Sequence, residues 1–360
     1  MSSRVAYIFP GQGSQAVGMG KDLFDNFPAA RETFDAADQA LGFKLSEMCF
    51  AGDEADLQLT ANTQPAILTT SVAAYRAARS EGLPEPDLVA GHSLGEYSAL
   101  VAAGVLDFAD AVRTVRNRGT YMQEAVPVGV GAMAAILGLD VAKVEEGCNE
   151  AAQGQVCSPA NINSPSQIVI AGNTEAVERA CEILKEKGAK RAIKLNVSAP
   201  FHCALMMPAQ ERLAGDLGEL DYEEFTVPII HNVDGAVNTE SKSVCDKLTE
   251  QVSSTVRWLE TIQNMRASGV TKFVEIGPGK VLTGLVRQID RDAIYSNIED
   301  KESLSNTLES RSIKEKLCQK YKIRLNRSSW MNSVSMTLKL RKMPGSSRTS
   351  ALIRSTSWNS

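Results

Sequence analysis

Several features that mark other protein classes are missing from this sequence of 360 residues. It has seven cysteines but no Cys-x-x-Cys pair, so neither a disulfide framework nor a zinc site is indicated. No apolar stretch approaches the ~20 residues of a membrane-spanning helix. With 43% apolar and 22% charged residues, the composition is that of an ordinary globular protein. We therefore expect no bound metal and no membrane partner.

Charge is distributed unevenly along the chain. Residues 311–360 carry 12 Lys and Arg against a single acidic residue, Glu315, whereas residues 1–310 carry 26 basic and 42 acidic residues. A body this acidic is not expected to bind nucleic acid. The basic segment has no lasting periodicity, and we interpret it as a disordered or non-native tail. A basic arm for an acidic partner or a membrane is the alternative.

The strongest local signal is the segment Gly91-His92-Ser93-Leu94-Gly95. An apolar run typical of a buried strand, Leu88-Val89-Ala90, precedes it, and a helical pattern follows over residues 96–103. Strand, Gly-x-Ser-x-Gly and helix in this order predict a nucleophile elbow, in which a tight turn lifts the Ser93 hydroxyl out of the sheet. The alternative is an ordinary strand-to-helix turn in which Ser93 caps the helix.

A serine nucleophile needs a base, because its hydroxyl hardly ionises at neutral pH, and the sequence offers three histidines. His92 is adjacent to Ser93, but neighbouring side chains diverge at an elbow, and His231 at a strand end is interpreted as structural. His202, in a loop before a helix, is the predicted base. No Asp or Glu between Ser93 and His202 stands out as an orienting acid, which leaves a backbone carbonyl for that role. If the environment of His202 is near that of a free histidine, we expect activity to rise with pH through a pKa of about 6 to 7.

A glycine-rich loop follows the first predicted strand, Val5-Ala6-Tyr7-Ile8-Phe9. Its sequence, Pro10-Gly11-Gln12-Gly13-Ser14-Gln15, allows a close backbone approach. Ala16 stands where a Gly-x-Gly-x-x-Gly fingerprint has its third glycine, so a dinucleotide cofactor is not expected.

Three arginines lie on one predicted helix over residues 108–124. Arg113, Arg116 and Arg118 are spaced so that they do not share a face. One of them can therefore point into the protein while the others stay in solvent.

The order of predicted elements indicates an α/β fold. Residues 129–197 follow the ferredoxin-like order βαββαβ inside a longer alternation of strands and helices. We predict an α/β-hydrolase-like parallel-sheet core from residues 1–128 and 198–310, the inserted ferredoxin-like subdomain at 129–197, and the basic tail at 311–360. No signal peptide precedes the first strand, so a cytoplasmic protein is expected, or a plastid or mitochondrial one whose targeting peptide has been removed.

Six segments occur in a characteristic order and spacing between about Arg4 and Glu309. They are Phe9-Pro10-Gly11-Gln12-Gly13-Ser14-Gln15, Gly91-His92-Ser93-Leu94-Gly95-Glu96, Arg118-Gly119 with Met122-Gln123, Asn161-Ile162-Asn163-Ser164-Pro165, Pro200-Phe201-His202, and Glu275-Ile276-Gly277-Pro278-Gly279. In these segments the chain resembles the malonyl-CoA:acyl-carrier-protein transacylases of fatty-acid synthesis and the acyltransferase domains of polyketide synthases.

The resemblance implies a set of catalytic roles at matching positions. Ser93 is expected to be the acylated nucleophile and His202 the general base. Gln251 is expected to offer its carbonyl to His202, which fills the role left open above. The backbone N–H groups of Gln12 and Leu94 are expected to form the oxyanion hole.

The resemblance also implies how substrate is bound. Arg118 is expected to hold the free carboxylate of a malonyl group, and Asn161 to belong to the substrate site. Phe201, directly before the histidine, is the form associated with malonyl rather than methylmalonyl units.

The implied function is transfer of malonyl from malonyl-CoA to the phosphopantetheine thiol of an acyl carrier protein, through a malonyl ester on Ser93. No cofactor is expected, because the coenzyme A thioester is itself a substrate, and a monomer is expected. A serine thioesterase or esterase on the same elbow is the alternative, and a non-catalytic acyl sensor is a third.

Overall fold

The computed structural model describes residues 4–127, 129–197 and 199–309. Strands β1 to β10 span Arg4–Phe9, Leu88–Gly91, Gly131–Leu137, Cys157–Ser164, Gln167–Asn173, Arg191–Lys194, Ile229–Ile230, Val237–Asn238, Val270–Ile276 and Ile294–Ile298. Helices α1 to α13 span Lys21–Asn26, Pro28–Leu41, Leu45–Ala51, Glu54–Gln58, Thr60–Ser80, Gly95–Ala102, Phe108–Glu124, Val141–Ala152, Thr174–Glu186, Met207–Gly218, Val244–Gln251, Trp258–Ala267 and Val281–Ile289. Residues 301–309 are also helical.

The larger sheet has the strand order β10-β9-β1-β2-β7-β8 over the described residues. Its strands are parallel except β8, which pairs antiparallel with β7. Helices cover both faces of such a sheet, so its central strands are mainly apolar, and residues 6–9 of β1 are fully buried. Phe9 of β1 pairs with Gly91 of β2, so the loop after Phe9 and the turn after Gly91 leave the same edge of the sheet. In open parallel sheets this carboxyl edge is where active sites form.

The second sheet is antiparallel, with the order β4-β5-β3-β6. Alternate residues face opposite ways, as the pleat requires. Met133 and Val169 pack into the main core, whereas Ala134 and Ile170 belong to a separate cluster with residues of α8 and α9. The predicted fold class, a parallel α/β core with an antiparallel subdomain, is confirmed.

The chain up to Leu308 packs as one compact unit, so the antiparallel sheet is part of the same body as the core. The exact boundaries proposed between core and subdomain stay predictions, and the predicted basic tail lies outside the described residues.

Several element boundaries differ from the sequence-based expectation. Apolar residues at helical spacing predict a helix over residues 64–81, but α5 begins one turn earlier, at Thr60; Pro65 is accommodated in its early turns, where its missing N–H removes only one bond. The sequence predicts a strand over 227–231, but only Ile229–Ile230 forms β7, because only two residues of β2 pair with it. Short elements such as α4 and β8 escaped prediction because they are too short for a periodic pattern.

Candidate active site

The turn between β2 and α6 is a nucleophile elbow, as the sequence predicted. Ser93 has a φ of 50°, in the left-handed region that residues with a side chain seldom occupy. A Cβ on Gly91 would lie 1.8 Å from the backbone carbon of Gly95, and a Cβ on Gly95 would lie 2.1 Å from the carbonyl oxygen of Phe9. Both glycines are therefore required, and the turn they permit projects Ser93 from the sheet edge.

His202 lies within hydrogen-bond distance of the nucleophile. Its Nε2 is 2.7 Å from Ser93 Oγ, and its Nδ1 is 2.9 Å from the backbone carbonyl oxygen of Gln251. A carbonyl can only accept, so the imidazole proton resides on Nδ1 and the Nε2 lone pair faces the serine hydroxyl. Of the three histidines this is the one in position to act as a base, and the carbonyl of Gln251 takes the place of an orienting acid.

Burial gives His202 an unusual pKa. Only 4% of the residue is exposed. Loss of solvation, followed by the nearby positive charge of Arg118, lowers its pKa from 6.5 to about 3. The sequence-based expectation of a titration between pH 6 and 7 is therefore wrong, because it assumed a solvated imidazole. His202 is a neutral acceptor at neutral pH.

Arg118 is the arginine of α7 that points inward. It is 1% exposed, and its Nη2 donates to Ser93 Oγ at 3.1 Å and to Gln251 Oε1 at 2.9 Å, while Nη1 donates to Gln64 Oε1 at 2.8 Å. Among the described residues, its buried Nε has no hydrogen-bond partner. Burial lowers the pKa of Arg118, and the carboxylate of Glu96 is among the groups that oppose this shift. A buried guanidinium with an unused donor, next to the nucleophile, is suited to an anionic substrate group.

The glycine-rich loop after β1 packs directly against the elbow. A Cβ on Gly11 would lie 2.4 Å from the carbonyl oxygen of His92, so only glycine permits this approach. Gln12 and Leu94 both line the same cavity as Ser93. The role of their backbone N–H groups as an oxyanion hole stays a prediction.

A cavity of about 730 Å³ opens over Ser93. Phe201, Asn161 and Arg118 line it, so the structure brings the predicted substrate-binding residues to one place. Asn161 lies on β4, where the strand is tied to Val256 by two backbone hydrogen bonds of its neighbours. The volume is that of a typical small-ligand site.

The other two histidines have different partners. His92 Nε2 is 2.8 Å from Asn163 Oδ1, and its ring packs near Trp258, so it is not directed at Ser93. Burial lowers the pKa of His92. His231 is fully buried and its Nδ1 lies 2.6 Å from Glu96 Oε1, in agreement with the structural role expected of it.

Three polar residues of the site were not found from the sequence. Asn232 Oδ1 accepts from the backbone N–H of Ser93 at 2.6 Å, and its Nδ2 donates to the Gly91 carbonyl at 2.7 Å, which braces the elbow. Gln64 contacts Arg118, and Glu96 contacts Gln251. For Glu96 there was a signal, because it is a charge that opens an otherwise apolar helical pattern; Asn232 and Gln64 show none.

No group of three or more His, Cys, Asp or Glu side chains positioned to hold a metal ion occurs within residues 4–127, 129–197 and 199–309. Over the same residues, no helix is long and apolar enough to cross a membrane.

A serine at a nucleophile elbow, a histidine oriented by a carbonyl and a buried arginine beside them define a serine acyl-transfer site on an α/β core. The chain matches the family described as the acyl transferase domain over residues 6–309, and it belongs to that family.

This chain covers nearly the whole length of several named relatives. It is 50% identical over 307 residues to the malonyl CoA-acyl carrier protein transacylase of Escherichia coli strain K12, covering 85% of this chain and 99% of the relative. The crystal structure of an acyl carrier protein S-malonyltransferase from Vibrio cholerae is 49% identical, covers 85% of this chain and 100% of that one, and superposes with a TM-score of 0.83. A malonyl-transacylase in complex with a type II polyketide acyl-carrier protein is 47% identical, covers 86% and 100%, and has a TM-score of 0.84.

Proposed function

We propose that this chain transfers malonyl from malonyl-CoA to the phosphopantetheine thiol of an acyl carrier protein and so supplies units for fatty-acid synthesis. The relatives named above act as malonyl transferases, and one of them is seen with a carrier protein. The observation that carries the proposal in this chain is the contact between Ser93 Oγ and a buried arginine, because it places a cation where the acyl group must enter.

In the first half-reaction, His202 Nε2 takes the proton of Ser93 while Oγ attacks the thioester carbon of malonyl-CoA. The carbon–sulfur bond breaks, the protonated His202 returns its proton to the coenzyme A thiolate, and malonyl remains as an ester on Ser93. In the second half-reaction the carrier thiol gives its proton to His202 and attacks that ester. The Ser93 oxygen leaves and recovers the proton, which makes the kinetics ping-pong.

Charge that develops on the thioester oxygen needs donors that are already in place. We assign this role to the backbone N–H groups of Gln12 and Leu94; both residues line the cavity over Ser93, and Gly11 packs against His92 next to them, which supports the assignment. One such donor contributes about 2.7–4 kcal/mol in comparable acyl-transfer sites.

Arg118 accounts for selection of malonyl. The free carboxylate of the malonyl group must leave water to enter the cavity, which is unfavourable unless a fixed cation meets it. The guanidinium is buried, has an unused Nε donor and already lies 3.1 Å from Ser93 Oγ. A planar fork binds a carboxylate with two parallel hydrogen bonds, so no metal is needed for this step. Asn161 and Phe201 complete the walls around the acyl group.

A serine thioesterase on the same elbow is the other candidate. Its ester intermediate would be released to water rather than to a carrier thiol. The family assignment and the arginine beside the nucleophile favour transfer. A monomeric state, the absence of a cofactor and a place in the cytoplasm stay predictions.

The direct test is intact-mass spectrometry of the protein mixed with malonyl-CoA, with and without a carrier protein. We expect one malonyl adduct per chain, which disappears when the carrier protein is added and appears on the carrier. Ser93→Ala is expected to form no adduct. An adduct that persists in Ser93→Ala, or that decays to free malonate at the same rate without carrier, would contradict the proposal.

A further inference from the structure

Glu96 is a fully buried carboxylate directly behind the catalytic residues, in the first turn of α6. Three N–H groups reach it: those of His231 Nδ1 at 2.6 Å, Gln251 Nε2 at 2.9 Å and the Asn232 backbone at 3.0 Å. An ionised carboxylate only accepts hydrogen bonds, so this set of donors fits the negatively charged form.

His231 does not supply the balancing positive charge. Its Nε2 lies 2.9 Å from Asn238 Nδ2, and Asn238 Oδ1 accepts from the backbone N–H of Glu240, which orients the amide. An Nε2 that accepts from an amide leaves the single imidazole proton on Nδ1, where it is donated to Glu96. His231 is neutral in this arrangement, and a buried negative charge is very unfavourable unless a cation compensates it.

The hydrogen-bond network connects Glu96 to one buried cation, Arg118. The side-chain amide of Gln251 lies between them: its Oε1 accepts from Arg118 Nη2 at 2.9 Å, and its Nε2 donates to Glu96 Oε2 at 2.9 Å. Arginine can only donate and a carboxylate only accept, so the amide has one compatible orientation. Arg118 itself donates to Gln64, Ser93 and Gln251, and none of these partners is a carboxylate.

We propose that Glu96 is a positioning residue that supplies the countercharge of Arg118 through the Gln251 side-chain amide. The amide bridge holds the guanidinium without an ion pair, so no carboxylate of the protein competes with that of a substrate for Arg118; this part rests on the proposed malonyl transfer. Neither Glu96 nor Gln251 is among the described residues that line the cavity, so the negative charge lies behind the arginine and not beside the substrate.

The first test is Glu96→Gln, which removes the negative charge and puts an NH2 group opposite either His231 Nδ1 or the N–H groups of Asn232 and Gln251. Arg118 loses its countercharge in both orientations, and in the second one Gln251 also loses the acceptor that orients it. We expect kcat/KM for malonyl-CoA to fall roughly 10- to 100-fold, the range for one hydrogen bond to a charged group. Acetyl-CoA has no carboxylate, so its kcat/KM should fall less and the malonyl-to-acetyl ratio should drop.

Two further variants separate this role from general support of the fold. In an Arg118→Ala background, Glu96→Gln should leave the ratio unchanged, because the arginine it positions is gone. Asp38→Asn is the matched control: Asp38 is 7% exposed, accepts from the backbone and hydroxyl of Ser46, and does not line the cavity. It should lower the melting temperature without moving the ratio.

A melting cycle tests the charge pairing without any activity. Arg118→Ala leaves Glu96 buried without its cation, so adding Glu96→Gln should raise the melting temperature above that of Arg118→Ala alone. Should Glu96→Gln fold too poorly to assay, Gln251→Leu breaks the same bridge, keeps the carbonyl that holds His202, and should lower the ratio likewise. Equal losses for both acyl groups, or additive changes in melting temperature, would overturn the proposal. Failure of wild type to form a malonyl adduct would instead refute the proposed function and leave the melting cycle informative.

Discussion

The two sheets of this molecule line one cavity but contribute to it in different ways. The carboxyl edge of the parallel sheet delivers Ser93, and the elements around it bring His202 and Arg118 to the same point, all joined by hydrogen bonds. The antiparallel sheet contributes three apolar and three amide side chains to the cavity wall: Met133, Ala135, Val169, Asn161, Asn163 and Gln167. The reacting groups on the core side are thus held by a network of buried polar groups, whereas the antiparallel side supplies wall, part of it apolar.

The largest expected effect comes from the base on the core side. His202→Ala removes the only histidine within reach of Ser93 Oγ, and acylation is expected to slow by roughly 10²- to 10⁴-fold. The measurement is single-turnover acylation by malonyl-CoA. His92→Ala is the matched control, because His92 is also buried but bonds to Asn163. A mild effect of His202→Ala together with a severe one of His92→Ala would show that the base is misassigned.

The next effect distinguishes malonyl from uncharged acyl groups. Removing one partner of a buried charged pair costs about 2–5 kcal/mol, so Arg118→Ala should lower kcat/KM for malonyl-CoA by roughly 30-fold to several thousand-fold. The rate with acetyl-CoA should hold or rise. Arg118→Lys should recover only part of the malonyl activity, because a point charge does not reproduce the fork.

The arginines on the outer faces of the same helix are the controls for this experiment. Arg113 pairs with Asp110 at the surface, so Arg113→Ala should leave the malonyl-to-acetyl ratio unchanged. A ratio equal to wild type in Arg118→Ala would remove Arg118 from the substrate site.

The pKa of His202 gives a smaller effect that depends on pH. Because the folded pKa is about 3, the base form persists down to low pH, and single-turnover acylation should not rise between pH 5 and 8. The free energy of unfolding, in contrast, does depend on pH. Below ~6.5 the unfolded chain binds a proton on His202 that the folded chain does not bind. The His202 contribution to the free energy of unfolding is therefore lost as pH falls from about 6.5 towards 3, by at most about 1.4 kcal/mol per pH unit.

Two measurements check this pH dependence. Acylation rates at a series of pH values give the first, and an increase with a midpoint between pH 6 and 7 would contradict the buried-histidine account. Urea unfolding of wild type and His202→Ala between pH 4 and 7 gives the second. The variant should lose less stability on acidification, since it lacks the group that the unfolded state protonates.

Features of the site could be predicted from the sequence where the interacting residues are close together in the chain, and not where they are far apart. The elbow was predictable because glycine, serine and glycine act within five residues and enforce the turn locally. Helix spacing showed that the three arginines of α7 do not share a face, so that one of them could point inward. The choice of Arg118 needed the family resemblance. The network of Glu96 with His231 joins residues 135 apart in sequence, and no local pattern contains it.

The pKa of His202 escaped prediction for a related reason. A histidine in a loop gives no sign of how much of it will be covered, and the cover comes from packing between distant segments. The carbonyl that orients it belongs to Gln251, 49 residues further along the chain. Backbone groups carry no sequence signature, so only the resemblance pointed to that partner.

The smallest expected effect lies on the antiparallel side and probes the other half of the comparison. Val169 is on β5 with its side chain in the cavity wall, so Val169→Ala enlarges the site without touching a polar group. We expect the malonyl-to-acetyl ratio to hold, because the lost methyl groups cost the two acyl groups alike, by about 1–3 kcal/mol at most. Methylmalonyl-CoA, which is bulkier by one methyl group, should gain relative to malonyl-CoA.

The matched control is Ile170→Val, the next residue on the same strand, whose side chain faces the other way into the cluster under α8 and α9. It should lower stability by about 0.5–1.5 kcal/mol and leave all acyl preferences alone. If Val169→Ala changed the malonyl-to-acetyl ratio as strongly as Arg118→Ala, the division between a chemical side and a shaping side of the cavity would fail.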